Sequence, residues 1–371
     1  METSILILWL IIVIYLVLEN YYIKKISKSF KHIIYVNGTR GKSSTTRLID
    51  AGLRNSGYKV FSKTTGTVPI YIDINNNEVP IRRLGNANIK EQIKMVRLAY
   101  KQKADILVLE CMAVDPELQF ISQNRMVKSN IGVITNVRLD HTDVMGNSLE
   151  EICNSLCKTI PQNGVLFTSD KNFFQIIKNK SLELNSECFL SNPSKEFSNY
   201  YFPENYALAL DICKYLGLDY KKFKDGLRTY KHDPYDLAIY SLKNGGLFIN
   251  GLSINDISSI NLTYDKLSKK YNFKEKQFIL LINNRFDRGF RSLQMADFAN
   301  KRNPSAIYLL GSHTNILKSK IHCKNIKTIK ELNDLPLYID ENTFIFAIGN
   351  IGNSGNQIIE FVRKRGDLIE W

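Results

Sequence analysis

A short glycine-rich segment, residues 38–44 (GTRGKSS), has the residue types and spacing of a phosphate-binding loop. The apolar residues 32–36 before it predict a buried strand. Residues 44–55 after it predict a helix, because Leu48, Ile49 and Leu53 recur at helical spacing. A strand, a glycine turn and a helix are the context that such a loop needs, since the free N–H groups at the start of the helix point at the anion.

Each residue of this loop has an expected role toward a nucleotide. Gly38 and Gly41 let the backbone wrap a phosphate, Lys42 reaches the terminal phosphates, and the Ser43 hydroxyl ligates Mg²⁺. The remaining nucleotide-binding candidates are Thr39, Arg40 and Ser44. The common nucleotide loop has four residues between its first glycine and the Gly-Lys pair, whereas two intervene here, so this is a short form of the loop.

Two more candidate site residues follow predicted buried strands. Glu110 stands at the carboxyl end of the apolar run 106–109, where a carboxylate either caps a helix or ligates Mg²⁺. Ligands collect at the carboxyl ends of strands in open α/β sheets, which favours the metal. His141 follows the run 131–136 and is flanked by Asp140 and Asp143. A lone histidine is more often structural than catalytic, and this acidic setting makes it a candidate.

The composition indicates an anionic partner. The chain has 371 residues and a formal net charge of +14, which suits membrane headgroups, an acidic polymer or nucleic acid. We expect no nucleic acid, because the sequence lacks zinc-finger spacing and RNA-binding signatures. Six cysteines occur, and no histidine accompanies the nearest pair, Cys153 and Cys157, so we expect reduced thiols in a cytoplasm.

Residues 4–23 predict a single membrane span. The unbroken apolar run 5–18 is short for a span of ~20 residues, and its flanks bring it near that length. A cleaved signal peptide is the alternative, but Glu2 replaces the usual basic residue and no small-residue cleavage site follows. The positive-inside rule predicts an outer N-terminus and a cytoplasmic catalytic part from four lysines: Lys24, Lys25, Lys28 and Lys31.

Strands that alternate with helices predict an α/β fold with a doubly wound parallel sheet. We expect three parts: the anchor, a nucleotide-binding domain over residues 32–232, and a smaller C-terminal α/β domain over residues 233–371. Residues 171–200, rich in Asn, Ser and Lys, predict a loop-bearing surface region. The helix after residue 148 is expected to run to Ile160.

Four segments resemble the poly-γ-glutamate synthase ligase family (PgsB/CapB), whose members are Mur ligase-like. They are GTRGKSST (38–45), KTTGT (63–67), ECMAVDPELQ (110–119) and GVITNVRLDHTDVMG (132–146). The resemblance implies the Mur ligase central domain and a C-terminal domain that closes on the active site. It also implies an ATP- and Mg²⁺-dependent amide ligase that forms γ-glutamyl bonds through an acyl phosphate.

The resemblance also implies roles for single residues. His141 matches the family histidine that ligates a second Mg²⁺, and Asn205 matches the asparagine that holds the adenine. Arg288 and Arg291 stand in a segment, NNRFDRGFR, that is similar to a signature of the group; they either grip carboxylates or lie on a solvated face. Lys158 is either a carbamylated ligand of the second Mg²⁺ or a solvated helix lysine.

Partners follow from the same resemblance: glutamate, the poly-γ-glutamate chain and membrane subunits of a synthesis and export complex. Two alternatives stay open from the sequence. One is a ligase like folylpolyglutamate synthase, which shares the chemistry but has no need of an anchor. The other is a P-loop ATPase subunit that powers polymer export while a partner ligates.

Overall fold

A computed structural model describes residues 2–66, 68–83, 85–197, 200–254, 256–285, 289–352 and 354–371. The chain divides into two compact units, and the division falls between Lys231 and His232. Unit 1 carries the glycine-rich segment 38–44, and unit 2 carries the strands of the C-terminal part.

Unit 1 is built around an eight-stranded sheet. Its strands are β1 (His32–Asn37), β2 (Val60–Thr64), β3 (Ile70–Ile72), β4 (Glu78–Pro80), β5 (Ile106–Glu110), β6 (Ile131–Ile134), β7 (Val165–Thr168) and β8 (Glu187–Leu190). Their spatial order is β4-β3-β2-β5-β1-β6-β7-β8. All adjacent pairs from β2 to β8 are parallel, whereas β3 and β4 pair antiparallel as an edge hairpin.

Helices cover both faces of this sheet. They are α1 (Glu2–Ser27), α2 (Lys42–Asn55), α3 (Lys90–Lys101), α4 (Pro116–Ile121), α5 (Thr142–Met145), α6 (Leu149–Leu156), α7 (Phe174–Glu183), α8 (Pro203–Tyr215) and α9 (Tyr220–Arg228). Successive side chains of a strand point to opposite faces. In β1, Ile34 and Val36 therefore enter the cluster formed with α2, α8 and α9, and Ile33 and Tyr35 enter the cluster formed with α1 and α3.

Residues 171–200, expected to bear loops, also contain α7 and the edge strand β8. One expectation about local structure is wrong. The helix that was expected to reach Ile160 ends at Leu156 and continues as a 3-10 turn, Cys157–Thr159. The doubly wound sheet itself is present as predicted.

Unit 2 has its own seven-stranded sheet. Its strands are β9 (Ala238–Leu242), β10 (Leu247–Asn250), β11 (Gln277–Asn284), β12 (Ala306–Gly311), β13 (Ile326–Thr328), β14 (Thr343–Gly349) and β15 (Gly366–Glu370), in the spatial order β13-β12-β11-β14-β10-β9-β15. The five strands from β13 to β10 are parallel, and β9 pairs antiparallel with both β10 and β15. Its helices are α10 (Ile257–Lys270), α11 (Gly289–Arg302), α12 (Thr314–Lys320) and α13 (Ser354–Arg363).

Helix α1 is long and apolar enough to cross a bilayer, judged by length and composition alone. Its candidate span runs over Ser4–Ser27 with a mean hydropathy of 2.1. The large apolar side chains of residues 5–12 and 14–18 are exposed, whereas Ile23 and Ile26 near the end of the helix are buried in unit 1. The helix thus has an exposed apolar part and a packed end.

Candidate active site

The glycine-rich segment joins β1 to α2 at the carboxyl edge of the sheet, as the sequence predicts. Gly38 and Gly41 have φ angles of 129° and 77°, a region that favours glycine. A Cβ on Gly38 would lie 2.0 Å from Thr135 Oγ1, so the Thr135 side chain packs directly against the backbone of the loop. Because the first N–H groups of α2 have no partner within the helix, they are available to an anion.

The ammonium group of Lys42 lies over its own loop. Lys42 Nζ donates to the carbonyl oxygen of Gly38 at 2.7 Å and to that of Thr39 at 3.4 Å. The side chain therefore already reaches across the loop, where it could meet a phosphate group held by the same backbone.

A hydroxyl from the first turn of α2 and a carboxylate from the end of β5 meet beside this loop. Ser43 Oγ donates to Glu110 Oε2 at 2.7 Å, and the backbone N–H of Thr65 donates to the same oxygen at 2.7 Å. The Thr65 hydroxyl donates to Glu110 Oε1. Glu110 is 3% exposed and its carboxylate is held on both oxygens. The two oxygen-bearing groups fit a hard divalent cation such as Mg²⁺, which takes few protein ligands and is completed by phosphate and water.

A buried ion pair lies behind Glu110. Lys63 Nζ is 2.8 Å from Glu91 Oε1, and the Lys63 side chain is fully buried. Arg83 binds the same carboxylate through both Nε and Nη2, at 2.8 Å and 3.0 Å. Burial alone would raise the pKa of Glu91, but the hydrogen bonds and charges of Arg83 and Lys63 outweigh it and lower that pKa. The neighbouring Gln92 donates to the backbone oxygen of Glu110 at 2.9 Å.

The segment after β6 supports the other side of the loop. The backbone N–H of Arg40 donates to Asn136 Oδ1 at 3.0 Å, and Asn136 Nδ2 donates back to the carbonyl oxygen of Arg40 at 3.0 Å. Arg40 Nη2 forms an ion pair with Asp140 Oδ2 at 3.0 Å. These contacts hold the glycine-rich loop against the segment that follows β6.

His141 stands next to that ion pair. Its Nε2 lies 3.7 Å from Asp140 Oδ2, its side chain is 30% exposed, and its φ of 47° places it in the left-handed region. Within the described residues, no group of three or more His, Cys, Asp or Glu side chains has the arrangement of a metal cluster. A cation here would therefore need oxygen atoms from the nucleotide or the acyl substrate in addition to the protein.

The remaining predicted residues fall in different places. Asn205, in the first turn of α8, is 5% exposed and lies beside the loop, because a Cβ on Gly41 would be 2.8 Å from Asn205 Oδ1. Lys158 lies in the 3-10 turn after α6 with an exposed side chain. Arg291 lies in the first turn of α11, and Arg288 lies outside the described residues.

Sequence reasoning missed several residues that hold the site. Thr65, Gln92 and Thr135 position Glu110 or the loop. Thr65 and Thr135 lie in the resembling segments 63–67 and 132–146 with no predicted role of their own, and no motif marks Gln92. Another signal is position, since Thr65 and Thr135 directly follow buried strands. In unit 2, Asn283 near the end of β11 is 2% exposed, and its Nδ2 donates to the Asn350 carbonyl oxygen at 2.6 Å. Its buried Oδ1 has no hydrogen-bond partner among the residues that the structure describes.

Two family models match successive parts of the chain, and two relatives each match most of its length. Residues 36–220 match the Mur ligase middle domain, and residues 239–365 match the poly-gamma-glutamate synthase CapB C-terminal domain. PGA synthase CapB of Bacillus subtilis (strain 168) is 35% identical over 355 residues, a match that spans 89% of this chain and 90% of that protein. The chain belongs to the CapB family. The capsule biosynthesis protein CapB of Bacillus anthracis is 31% identical over 355 residues, which are 89% of this chain and 76% of that protein.

Solved structures with the same fold are distant in sequence. Folylpolyglutamate synthase of Thermotoga maritima has a TM-score of 0.66 at 13% identity, and the match covers 94% of this chain and 92% of that one. A bifunctional folylpolyglutamate synthase/dihydrofolate synthase of Yersinia pestis, complexed with AMPPNP and a Mn ion, has a TM-score of 0.67 at 14% identity and covers 92% and 91%. These matches establish the fold of this CapB family member.

Three predictions are thereby confirmed: the family, the α/β fold class with a second C-terminal domain, and an ATP-dependent amide ligase. The roles of the individual site residues stay predictions.

Proposed function

We propose that this protein is an ATP- and Mg²⁺-dependent ligase that joins glutamate units through γ-amide bonds in poly-γ-glutamate synthesis. The observation that carries the proposal is the contact of Ser43 with Glu110 beside the phosphate-loop segment, in a chain of the CapB family. The Yersinia pestis protein of the same fold binds AMPPNP and a Mn ion, which agrees with a nucleotide and a divalent cation.

The proposed chemistry activates a carboxylate. A carboxylate is a poor electrophile, because its negative charge repels an amine and oxide is a poor leaving group. Transfer of the γ-phosphoryl group of ATP to a glutamate γ-carboxylate gives an acyl phosphate and ADP. The amine of the next glutamate then attacks the acyl carbon, and inorganic phosphate leaves. The protein contributes mainly charge neutralisation and positioning.

Each site residue has a place in this scheme. Lys42 and the first N–H groups of α2 bind the phosphate oxygens, and Asn205 holds the adenine side of the nucleotide. Ser43 and Glu110 would hold Mg²⁺, which supplies positive charge beside the transferred phosphoryl group. His141 would hold a second cation near the acyl oxygens. Thr65 keeps the Glu110 carboxylate oriented, since it binds both of its oxygens.

Unit 2 is proposed to bind the incoming glutamate and to close on the active site. Arg288 and Arg291 would bind carboxylates, because a guanidinium group makes two parallel hydrogen bonds to a carboxylate. Among the described residues the buried Asn283 Oδ1 accepts no hydrogen bond; it lies at the carboxyl edge of the second sheet, where an ammonium group could donate to it. The net positive charge of the chain suits the binding of a polyanionic product.

Helix α1 is proposed to anchor the enzyme in the cell membrane with a single span. The exposed apolar side chains of residues 5–18 support insertion, and Lys24 and the lysines after it support a cytoplasmic catalytic part. Membrane subunits of a synthesis and export complex are the proposed partners, by analogy with the family.

The decisive experiment traps the acyl phosphate. The purified enzyme is incubated with ATP, Mg²⁺, glutamate or short poly-γ-glutamate, and hydroxylamine. We expect hydroxamate in proportion to ADP release, because hydroxylamine attacks an acyl phosphate. ATP hydrolysis without hydroxamate would instead favour an ATPase subunit that powers export. Hydroxamate formed with folate-type acceptors and not with glutamate or its polymer would favour a folylpolyglutamate synthase-like ligase.

A further inference from the structure

The end of α1 is packed on unit 1 and is not a free tether. Ile23 and Ile26 are each 1% exposed and belong to the core cluster that contains α3. Glu19 Oε1 accepts from Arg97 Nη2 at 2.8 Å, and the Arg97 guanidinium lies 5.8 Å from the Tyr22 ring. These contacts fix the last turns of the helix against α3, so the surface beside them has a set position relative to the apolar run.

A cluster of cations lies beside that end of the helix. It consists of Lys24 on α1, Arg125 in the π-helical segment Ser122–Val127, and Lys128 directly after that segment. Burial, together with the charges of Lys24 and Arg125, lowers the pKa of Lys128. Lys128 Nζ donates to the Asn124 carbonyl oxygen at 2.9 Å. In the described part of the chain, none of the three cations pairs with a carboxylate.

The cluster lies just outside the apolar run. The run ends at Leu18, and Lys24 follows it by six residues, which is ~9 Å along a helix. The polar layer on each side of a bilayer is about 5–7 Å thick, so the long Lys24 side chain stands at the outer edge of the headgroups. Arg125 and Lys128 flank Val127, which packs in the same core cluster as Ile23 and Ile26, so both cations lie close to the end of α1.

Aromatic side chains border the same surface. Tyr21 and Tyr22 on α1 are 67% and 41% exposed, at the end of the apolar run. Phe120 in α4 is 47% exposed, and its carbonyl oxygen accepts from Asn124, the residue that Lys128 contacts. Exposed aromatic side chains are enriched where a protein meets the membrane interface.

We propose that Lys24, Arg125 and Lys128 form a surface that binds the anionic headgroups of phospholipids and holds unit 1 against the bilayer beside the anchor. This inference rests on the membrane anchor of the proposed function and goes beyond it, because an anchor alone would leave unit 1 free to tilt. Arg125 and Lys128 are distant in sequence from the anchor, and their role arises from the packing of α1. Each lysine or arginine near an anionic membrane surface strengthens the binding of the protein to that surface by about fivefold.

The test compares two bilayers with the full-length protein. The protein is reconstituted into lipid discs of phosphatidylcholine alone or of phosphatidylcholine mixed with phosphatidylglycerol. Acetylation of each lysine by an amine-reactive reagent is then read by mass spectrometry. We expect acetylation of Lys24 and Lys128 to fall about fivefold in the anionic discs. Lys180 on α7, which is 43% exposed, serves as the internal control and should not change.

A matched pair of variants tests the cluster itself. Arg125→Gln retains α1 and should restore acetylation of Lys24 and Lys128 in anionic discs toward the level in neutral discs. Arg228→Gln removes an arginine on α9 that is 53% exposed, and it should leave both lysines protected. Circular dichroism of both variants checks that the fold is intact. If Arg125→Gln does not fold, Lys128→Gln replaces it, and acetylation of Lys24 is measured in that variant.

Three outcomes would overturn the inference. Equal acetylation in neutral and anionic discs, with the protein resistant to alkaline carbonate, would exclude headgroup binding and leave the anchor standing. Extraction of the protein by carbonate would remove the anchor and this inference with it. Equal protection of both lysines by soluble poly-γ-glutamate in neutral discs would assign the surface to the polymer.

Discussion

The side-chain amide of Asn205 lies directly against the backbone of Gly41. A Cβ built on Gly41 would be 2.8 Å from Asn205 Oδ1 and 3.0 Å from Asn205 Nδ2. The contact brings the first turn of α8 to the turn before α2, although the two residues are far apart in the sequence. Gly41 therefore has two reasons to be glycine: its φ of 77° and the lack of space beside it.

Gly41→Ala should lose nucleotide binding. The added Cβ pushes Asn205 away and strains the loop, so we expect at least a tenfold weaker affinity for ATP, measured by calorimetry or fluorescence. Gly57→Ala is the matched control, because Gly57 has a φ of 92° but no atom of the described residues lies within 4 Å of an added Cβ. Both variants should lose roughly 1 kcal/mol of stability from backbone strain. Equal ATP affinity in the two variants would contradict a role for the Asn205 contact.

Glu110→Gln should abolish ligation while nucleotide still binds. The amide keeps the size of the side chain but removes the charge that faces Ser43 and the proposed cation. We expect the ligation rate to fall by a factor on the order of 10² or more, because charge in the transition state is left uncompensated. The rate is measured as glutamate-dependent ADP release over a range of Mg²⁺ concentrations. Glu117→Gln, on the exposed side of α4, is the control, and near-normal activity of Glu110→Gln at high Mg²⁺ would exclude the ligand role.

The sequence predicts the local parts of this site better than the contacts between them. The loop, β1 and α2 follow from one continuous segment, in which a glycine turn separates an apolar run from an amphipathic one. The contact of Thr65 with Glu110 depends on β2 and β5 lying side by side, which is a property of the sheet order. Residue spacing along the chain does not contain that information.

Edge strand β8 illustrates another limit of the sequence. Its residues alternate between exposed and half-buried, so the segment lacks the continuous apolar run that predicts a buried parallel strand. Helix α2 also begins at Lys42, before the expected Ser44, because the left-handed Gly41 starts the first turn there.

The Lys63–Glu91 pair predicts a pH dependence of stability. The pKa of Glu91 is lower in the folded protein than its ordinary value, so its charge contributes stability above an unfolded pKa of about 4.3. That contribution is lost as the pH falls through the folded pKa. Glu91→Gln leaves Lys63 without its partner and should lower the free energy of unfolding by about 3 kcal/mol at pH 7.

The difference between wild type and Glu91→Gln should begin to shrink as the pH falls below the unfolded pKa of about 4.3. It should disappear only below the lower folded pKa, where the wild-type carboxylate is itself protonated. This difference in stability is measured from the melting temperatures of both proteins in detergent at a series of pH values. Glu183→Gln removes a surface partner of Lys180 and should differ little from wild type at any pH, since exposed ion pairs contribute little. A constant difference across the series would mean that Glu91 acts through packing alone.

Arg288→Lys should reduce activity strongly although it keeps the charge. A lysine has no planar fork and cannot make two parallel hydrogen bonds to a carboxylate. We expect kcat/KM for glutamate to fall by at least tenfold, with ATP affinity unchanged, in a steady-state assay of ADP release. Arg302→Lys, at the end of α11, is the control, because it makes the same change outside the NNRFDRGFR segment. Full activity of Arg288→Lys would place Arg288 on a solvated surface.

Lys158→Ala separates the two interpretations of that lysine. A carbamylated lysine would act as a carboxylate-like ligand, whereas an unmodified lysine beside a cation would be repelled. The structure exposes the Lys158 side chain in the 3-10 turn after α6, which favours the solvated interpretation. We therefore expect Lys158→Ala to retain the wild-type ligation rate, with no effect of added short-chain carboxylates. Loss of activity that formate or acetate restores would instead place a carboxylate at this position and make Lys158 part of the metal site.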